Sequence, residues 1–259
     1  MPASPSILPL RRPFLERLNT SWHKRRIGRQ AEPTGNHPAR CSYFGATFDV
    51  DLGDIVGYEI AIKRFEWREL KMMIEACTRL KPEVFLDIGA NLGLYTCVIA
   101  SKNLVPRTIA FEPDRENFAR LSRNIALNGL GKRVEAHQAA AGAKAGTAIL
   151  HPSARDNRGQ SMIGETPPGY TEGTSYEVSV VTVDDLVTVS GTRIVVKMDV
   201  EGHEGEVLTG AEKLLTRNGG YAQMEALSDE IAAQLTARMT GFGWKFRDRY
   251  GLDVRFEKP

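Results

Sequence analysis

The sequence predicts an α/β fold, with a central, mostly parallel sheet, helices on both faces and an antiparallel hairpin closing it. Three observations predict this. Short apolar runs alternate with helical stretches from Val84 onward, the pattern of a parallel sheet covered on both sides. The first of these runs ends in an acid and a glycine turn, Asp87-Ile88-Gly89-Ala90-Asn91-Leu92-Gly93, at the sheet edge where open α/β sheets bind ligands. The last two apolar runs follow each other closely after Gly241-Phe242-Gly243, which fits a hairpin.

Residues 41–80 read as a small leading unit. A strand is expected over Phe44–Val50, and an amphipathic helix over Phe65–Leu80 packs Met72, Met73 and Ala76 inward until Pro82 stops it. Strand Val84–Asp87, helix Leu94–Ser101, strand Thr108–Phe111 and a helix opened by Pro113 come next, proline being preorganised for a first helical turn. That helix carries Phe118, Leu121 and Ile125 on one face and stops at Asn128-Gly129. Strand Val134–His137 follows. Residues 142–183 break the rhythm, because glycines and prolines separate Thr147–Leu150 from Tyr176–Val183. We read an inserted hairpin with a long loop, either an acceptor lid or an ordinary surface loop. Strand Arg193–Asp199, helix Glu204–Arg217, strand Tyr221–Glu225, helix Ser228–Thr240 and strands Trp244–Arg247 and Leu252–Glu257 complete the order.

The length of 259 residues suits one domain of normal core size plus an appendage, so 41–259 reads as a single domain. Hydrophobic content of 42% and charged content of 25% are ordinary for a soluble protein. No apolar run approaches the roughly 20 residues of a membrane helix, and no secretory cleavage pattern opens the chain. The expectation is a cytoplasmic protein with no membrane span. Cys41, Cys77 and Cys97 lie in no paired spacing, which implies neither a disulfide framework nor a zinc site. Residues 1–40 hold eight of the 34 Lys and Arg but only two of the 32 acids. This basic segment reads as a flexible, solvated arm rather than a nucleic-acid or membrane dock, because it lacks an apolar stripe and has few aromatics.

The glycine turn discriminates between cofactors. A dinucleotide fingerprint needs glycines at first, third and sixth places, whereas counting from Gly89 the chain has Gly89, Asn91 and Leu94. Asp87 also puts negative charge beside the turn, which suits a sulfonium better than a pyrophosphate. Glu112, at the end of the next strand, stands where ribose hydroxyls are commonly gripped. Together these residues point to S-adenosylmethionine. A second constellation, Lys197-Met198-Asp199-Val200-Glu201-Gly202-His203-Glu204, brings a cluster of ionisable groups to the same sheet edge, where mutual interactions tune a general base. The spacing also permits a divalent metal, with Asp199, Glu201 and Glu225 as its ligands, though nothing in the sequence requires one.

The ordered triple of Asp87–Gly93, Phe111-Glu112-Pro113 and Lys197–Glu204 resembles the FkbM-type methyltransferase family, as do Asn124, Leu127-Asn128 and the Val181–Leu186 lead-in. The resemblance covers about residues 43–225 and implies a class I methyltransferase (Rossmann-like) fold. It also implies methyl transfer from S-adenosylmethionine to a hydroxyl of a small-molecule or saccharide acceptor. By matching positions, Asp87, Gly89, Asn91 and Gly93 would line the methionine end and Glu112 the ribose; by fold analogy, Pro113, Gln138 and Ala139 would lie near adenine. Asp199 or His203 is the expected base, with Glu201 orienting the acceptor or a metal. The alternatives are a nucleic-acid-binding methyltransferase and a noncatalytic scaffold that kept the fold. Nucleic acid is disfavoured, because Asp199 and Glu201 would repel phosphates. Nothing in the sequence sets an oligomeric state.

Overall fold

A computed structural model describes residues 37–153, 159, 161–164 and 175–259. The basic arm up to residue 36 lies outside the described residues, as do Pro167, Pro168, Gly169 and Gly173 of the insert.

Strands β1 (Pro38–Tyr43) and β2 (Ala46–Asp51) pair antiparallel, so the single strand expected over Phe44–Val50 is one arm of a hairpin. Phe44 and Gly45 form its turn, both at positive φ. Helices α1 (Ile55–Ala61) and α2 (Trp67–Leu80) follow. In α2, Met73 and Ala76 are buried while Met72 is only partly covered.

The main sheet has seven strands, introduced here in chain order: β3 (Val84–Ile88), β4 (Arg107–Phe111), β5 (Val134–His137), β10 (Arg193–Met198), β11 (Gly219–Glu225), β12 (Lys245–Tyr250) and β13 (Asp253–Lys258). Its spatial order is β12-β13-β11-β10-β3-β4-β5. The five strands from β5 to β11 are mutually parallel, and β13 runs antiparallel between β11 and β12, giving the expected closing hairpin. Strand β3 is buried on both faces, which is why it reads as a continuous apolar run. Phe85, Val195 and Tyr221 face one core, with α2 and α3 (Leu94–Ser101). Leu86, Val196 and Ala222 face the other, with α6 (Glu204–Gly210), α7 (Glu212–Arg217) and α8 (Asp229–Gly241).

Register places the polar groups. Lys197 pairs with Asp87 on one side and Gln223 on the other. Parallel partners share a face, so a polar row crosses the carboxyl end of the sheet on the α2 and α3 side.

Helix α4 (Arg115–Leu127) begins two residues later than Pro113: Asp114 is the N-cap, and its carboxylate accepts from Glu116 N and Asn117 N. A side-chain cap supplies what a leading proline cannot, an acceptor for orphan amides. Asn124, fully buried, accepts from Asp49 N at 2.8 Å and donates to Leu92 O at 2.9 Å. Asn128 exchanges hydrogen bonds with Thr47 N and O. These two asparagines seal an edge of β2 and tie it to the glycine turn.

The insert carries β6 (Ala140–Ala141), β7 (Gly146–His151), β8 (Met162–Ile163) and β9 (Tyr176–Val181), joined in a second sheet of order β6-β9-β7-β8. The expected pairing of β7 with β9 is antiparallel, but the second run ends at Val181, where Thr182 caps the short helix α5 (Val183–Leu186). The helix expected over Glu204–Arg217 is broken at Ala211. Two contacts explain the break. The Gly142 carbonyl approaches Gly210 so closely that an added Cβ would stand 2.0 Å from it. Asp184 then accepts from Lys213 N and Leu214 N, at 3.0 and 2.8 Å, taking amides a continuous helix would use internally.

Candidate active site

The glycine turn is built by conformation before chemistry. Gly89, Asn91 and Gly93 all have positive φ (83°, 51° and 90°), a region costly to most side chains. Gly89 N and Ala90 N donate to Phe111 O at 3.0 and 2.9 Å, which folds the turn over the end of β4. A Cβ on Gly89 would stand 1.7 Å from Asp199 O, so the acid-rich end of β10 lies directly against the turn. The Asn91 side-chain oxygen is buried without a hydrogen-bond partner.

Asp87 is 1% exposed and accepts from Thr96 N at 2.9 Å and Thr96 Oγ1 at 2.5 Å, both on its Oδ2. It therefore pins the first turn of α3. Glu112 accepts from Asn91 N on Oε2 (2.7 Å) and from Asp114 N on Oε1 (2.8 Å). Burial pushes the Asp87 carboxyl up to about 6 and that of Glu112 up to about 8, against these hydrogen bonds.

A cavity at the sheet's carboxyl edge is lined by Asp87, Gly89, Asn91, Glu112, Pro113 and Ala139, and on its other side by Asp199, Glu201 and His203. Gly93 and Gln138 do not line it. Gly93 sits behind, where a Cβ would meet Leu121 at 2.6 Å. Gln138 is exposed past the end of β5, whereas Ala139 is buried against the cavity. The insert contributes Gly159, Ser161 and Ile163 to the lining, so part of the segment read as either lid or surface loop faces the cavity. Tyr176 fastens the insert by donating to Asp114 Oδ2 at 3.1 Å and accepting from Arg115 N.

The acid end is crowded. Lys197, 3% exposed, lies 3.2 Å from Asp253 Oδ1 and 3.7 Å from Asp199 Oδ2. Burial works against its charge, but Asp253, Glu66, Asp199 and Glu225 outweigh burial and keep the ammonium protonated. Asp199, Glu201 and Glu225 each bring a carboxylate oxygen within 4.8 Å of the others, close enough to share one cation. Glu225 hydrogen-bonds Asp199, and burial together with that neighbour pushes it up to about 9, so it holds a proton at neutral pH. Glu201, at φ 49°, is pushed up to about 7 by burial and then by Asp199. Burial lowers His203, leaving its imidazole neutral.

Sequence reasoning missed Glu66 and Tyr95. Both line the cavity, and Tyr95 OH donates to Glu66 Oε2 at 2.6 Å. Gln223 extends this network, donating to Tyr95 OH (3.5 Å) and to Asp253 Oδ2 (3.0 Å). The register of β10 and β11, which sets Gln223 beside Lys197, shows this network only in the folded chain.

Raised carboxyls set a direction for stability with pH. Glu112, Glu201 and Glu225 ordinarily ionise near 4.5, but in the folded protein at about 8, 7 and 9. Their protonated forms favour the fold, so that contribution is whole below their unfolded values and is lost as pH rises through the folded ones. His203 and Lys258, both lowered by burial, act oppositely. The melting temperature of the ligand-free protein should therefore fall between about pH 5 and about pH 9, measured by differential scanning fluorimetry. A flat or rising profile would contradict the burial of these acids.

Residues 87–236, more than half of the chain, match the methyltransferase FkbM domain family. The hexuronic acid methyltransferase AglP of Haloferax volcanii is 29% identical over 180 residues, covering 68% of this chain and 69% of that protein. Methyltransferase 1 of Beauveria bassiana is 26% identical over 168 residues, covering 57% of this chain and 67% of that one. Among solved structures, the methyltransferase FkbM of Methylobacillus flagellatus KT is 20% identical with a TM-score of 0.47, covering 76% of this chain and 52% of that one, so this chain spans about half its length. Among the described residues no helix is long and apolar enough to cross a membrane. The ordered motifs, the parallel sheet with its reversed strand and the match over 87–236 agree: this chain belongs to the FkbM methyltransferase family, a family of S-adenosylmethionine-dependent methyltransferases.

Proposed function

We propose that the protein is an O-methyltransferase that moves the methyl group of S-adenosylmethionine to a hydroxyl of a saccharide or related small molecule. The carrying observation is that Asp199 lines the same cavity as the glycine turn, with its backbone directly against Gly89, which supports a proton acceptor near the methyl donor. The AglP relative, a hexuronic acid methyltransferase by name, favours a saccharide acceptor.

The residues present fit the donor. The turn at Gly89 has no room for a side chain, Asn91 offers a buried unpaired oxygen, and the Glu112 carboxylate retains lone pairs beyond its two amide bonds. In our reading Asp87, Gly89 and Asn91 hold the methionine end, Glu112 the ribose hydroxyls, and Pro113 and Ala139 the adenine. Gly93 and Gln138 drop out of this set. The bound donor supplies a methyl carbon on a positively charged sulfur. Asp199 accepts the hydroxyl proton as the oxygen–carbon bond forms and the carbon–sulfur bond breaks; a positioned base of this kind is worth roughly 10²–10⁴ in rate. Glu201 orients the acceptor, and the Lys197 ammonium lies 3.7 Å from Asp199.

Calorimetric titration with S-adenosylhomocysteine, with and without a divalent ion, tests the donor site without needing an acceptor. Saturable binding at micromolar concentration is expected. Absence of binding up to millimolar concentration would leave a scaffold. Affinity that needs the ion would assign Asp199, Glu201 and Glu225 a metal role.

A further inference from the structure

The acceptor end of the cavity has a one-sided charge. Glu66, Asp199 and Glu201 line that end, and Lys197 is the cavity's one cation among the described residues. That ammonium is buried and held at 3.2 Å by Asp253 and at 3.7 Å by Asp199, leaving it little attraction for an incoming anion. His203 is neutral.

Glu66 stands apart from the family pattern, because it precedes residues 87–236 and comes from the segment leading into α2. It adopts φ 40°, ψ 34°, a left-handed conformation that costs a non-glycine residue energy and so needs a reason to persist. Tyr95 fixes its Oε2 at 2.6 Å. The charges acting on Glu66 are those of Lys197, Asp199 and Asp253, which places it at the Asp199 end of the cavity rather than the Glu112 end.

We infer that Glu66 and Glu201 grip hydroxyl or ammonium groups of the acceptor, and that this acceptor is a sugar bearing no carboxylate or phosphate. The inference rests on the saccharide reading above and narrows it. Carboxylates accept hydroxyl donors at no electrostatic cost, whereas a like charge brought against them in a desolvated site costs several kcal/mol. This chain would then differ in acceptor charge from AglP, whose name specifies a hexuronic acid.

The test uses the full chain, methyl-labelled S-adenosylmethionine and matched gluco, galacto and manno glycosides, each as neutral sugar, 2-amino sugar and uronate. Transfer to a neutral or amino member is expected, with kcat/KM at least about tenfold above its uronate partner. Glu66→Gln should raise KM for that acceptor by about tenfold, the order for a hydrogen bond to a charged group, with S-adenosylhomocysteine affinity within about twofold. Preferred turnover of a uronate overturns the inference. An unchanged KM, or lost cofactor affinity, in Glu66→Gln overturns the role of Glu66. No transfer to any glycoside while S-adenosylhomocysteine still binds removes the saccharide reading, and this inference with it.

Discussion

Gly89→Ala is expected to abolish S-adenosylhomocysteine binding, lowering affinity by at least about a hundredfold, the consequence of losing a few kcal/mol at a site that depends on one backbone geometry. Two effects add. Gly89 has φ 83°, which costs an L-residue roughly 1–2 kcal/mol. The larger effect is steric, because the new Cβ would stand 1.7 Å from the Asp199 carbonyl oxygen, a backbone atom that cannot swing aside. Asp199 N donates to Ile88 O, and Gly89 N to Phe111 O, so moving either chain breaks hydrogen bonds that join three strands. Gly129→Ala separates the effects: it has φ 67° but nothing within 4 Å of the added atom. Gly129→Ala should bind S-adenosylhomocysteine as the parent does, and circular dichroism should show both variants folded. A Gly89→Ala protein that binds within about fivefold of the parent would show that the turn is not the donor site.

What was legible in the sequence follows from which contacts are local. Strand β3 announced itself because burial on both faces demands an unbroken apolar run, and the turn after it because positive φ at alternate positions selects glycine and asparagine. The closing hairpin was equally readable. The break at Ala211 was not, since it is imposed by Gly142 and Asp184, far away in the chain. Gln138 and Ala139 show the limit at finer scale: at a strand end adjacent residues point to opposite sides, and fold analogy alone does not say which faces the cavity. Glu66 was invisible for another reason. Between Phe65 and Trp67 it reads as the polar side of a helix, and only folding carries it to Tyr95 and the acids of β10. Asn124 and Asn128, noted first as a pattern, have a plain physical purpose in sealing an edge of β2.

Asp199→Asn should separate chemistry from binding. The amide keeps the shape of the side chain, so the Asp199 carbonyl still meets the turn and S-adenosylhomocysteine affinity should stay within about threefold, a change well under 1.4 kcal/mol. Turnover should fall by about 10²–10⁴, the range for loss of a positioned base. The choice of Asp199 over His203 rests on surroundings. Asp199 has the Lys197 ammonium at 3.7 Å and a hydrogen bond with Glu225. His203 sits at the start of the seven-residue α6, where burial lowers its affinity for a proton. His203→Gln should therefore cost about tenfold or less, below the range for a base. If His203→Gln suffers the larger loss, the proton goes to the imidazole and Asp199 only orients. If Asp199→Asn loses cofactor affinity in proportion to rate, the division between donor binding and proton transfer is wrong. The pH profile gives an independent reading: with Asp199 gone, its charge and its hydrogen bond no longer raise Glu225, leaving burial and Glu201, so the Glu225 carboxyl should ionise at lower pH. Residual activity of Asp199→Asn that rises with pH through a shifted limb would then mark Glu225 as the substitute base.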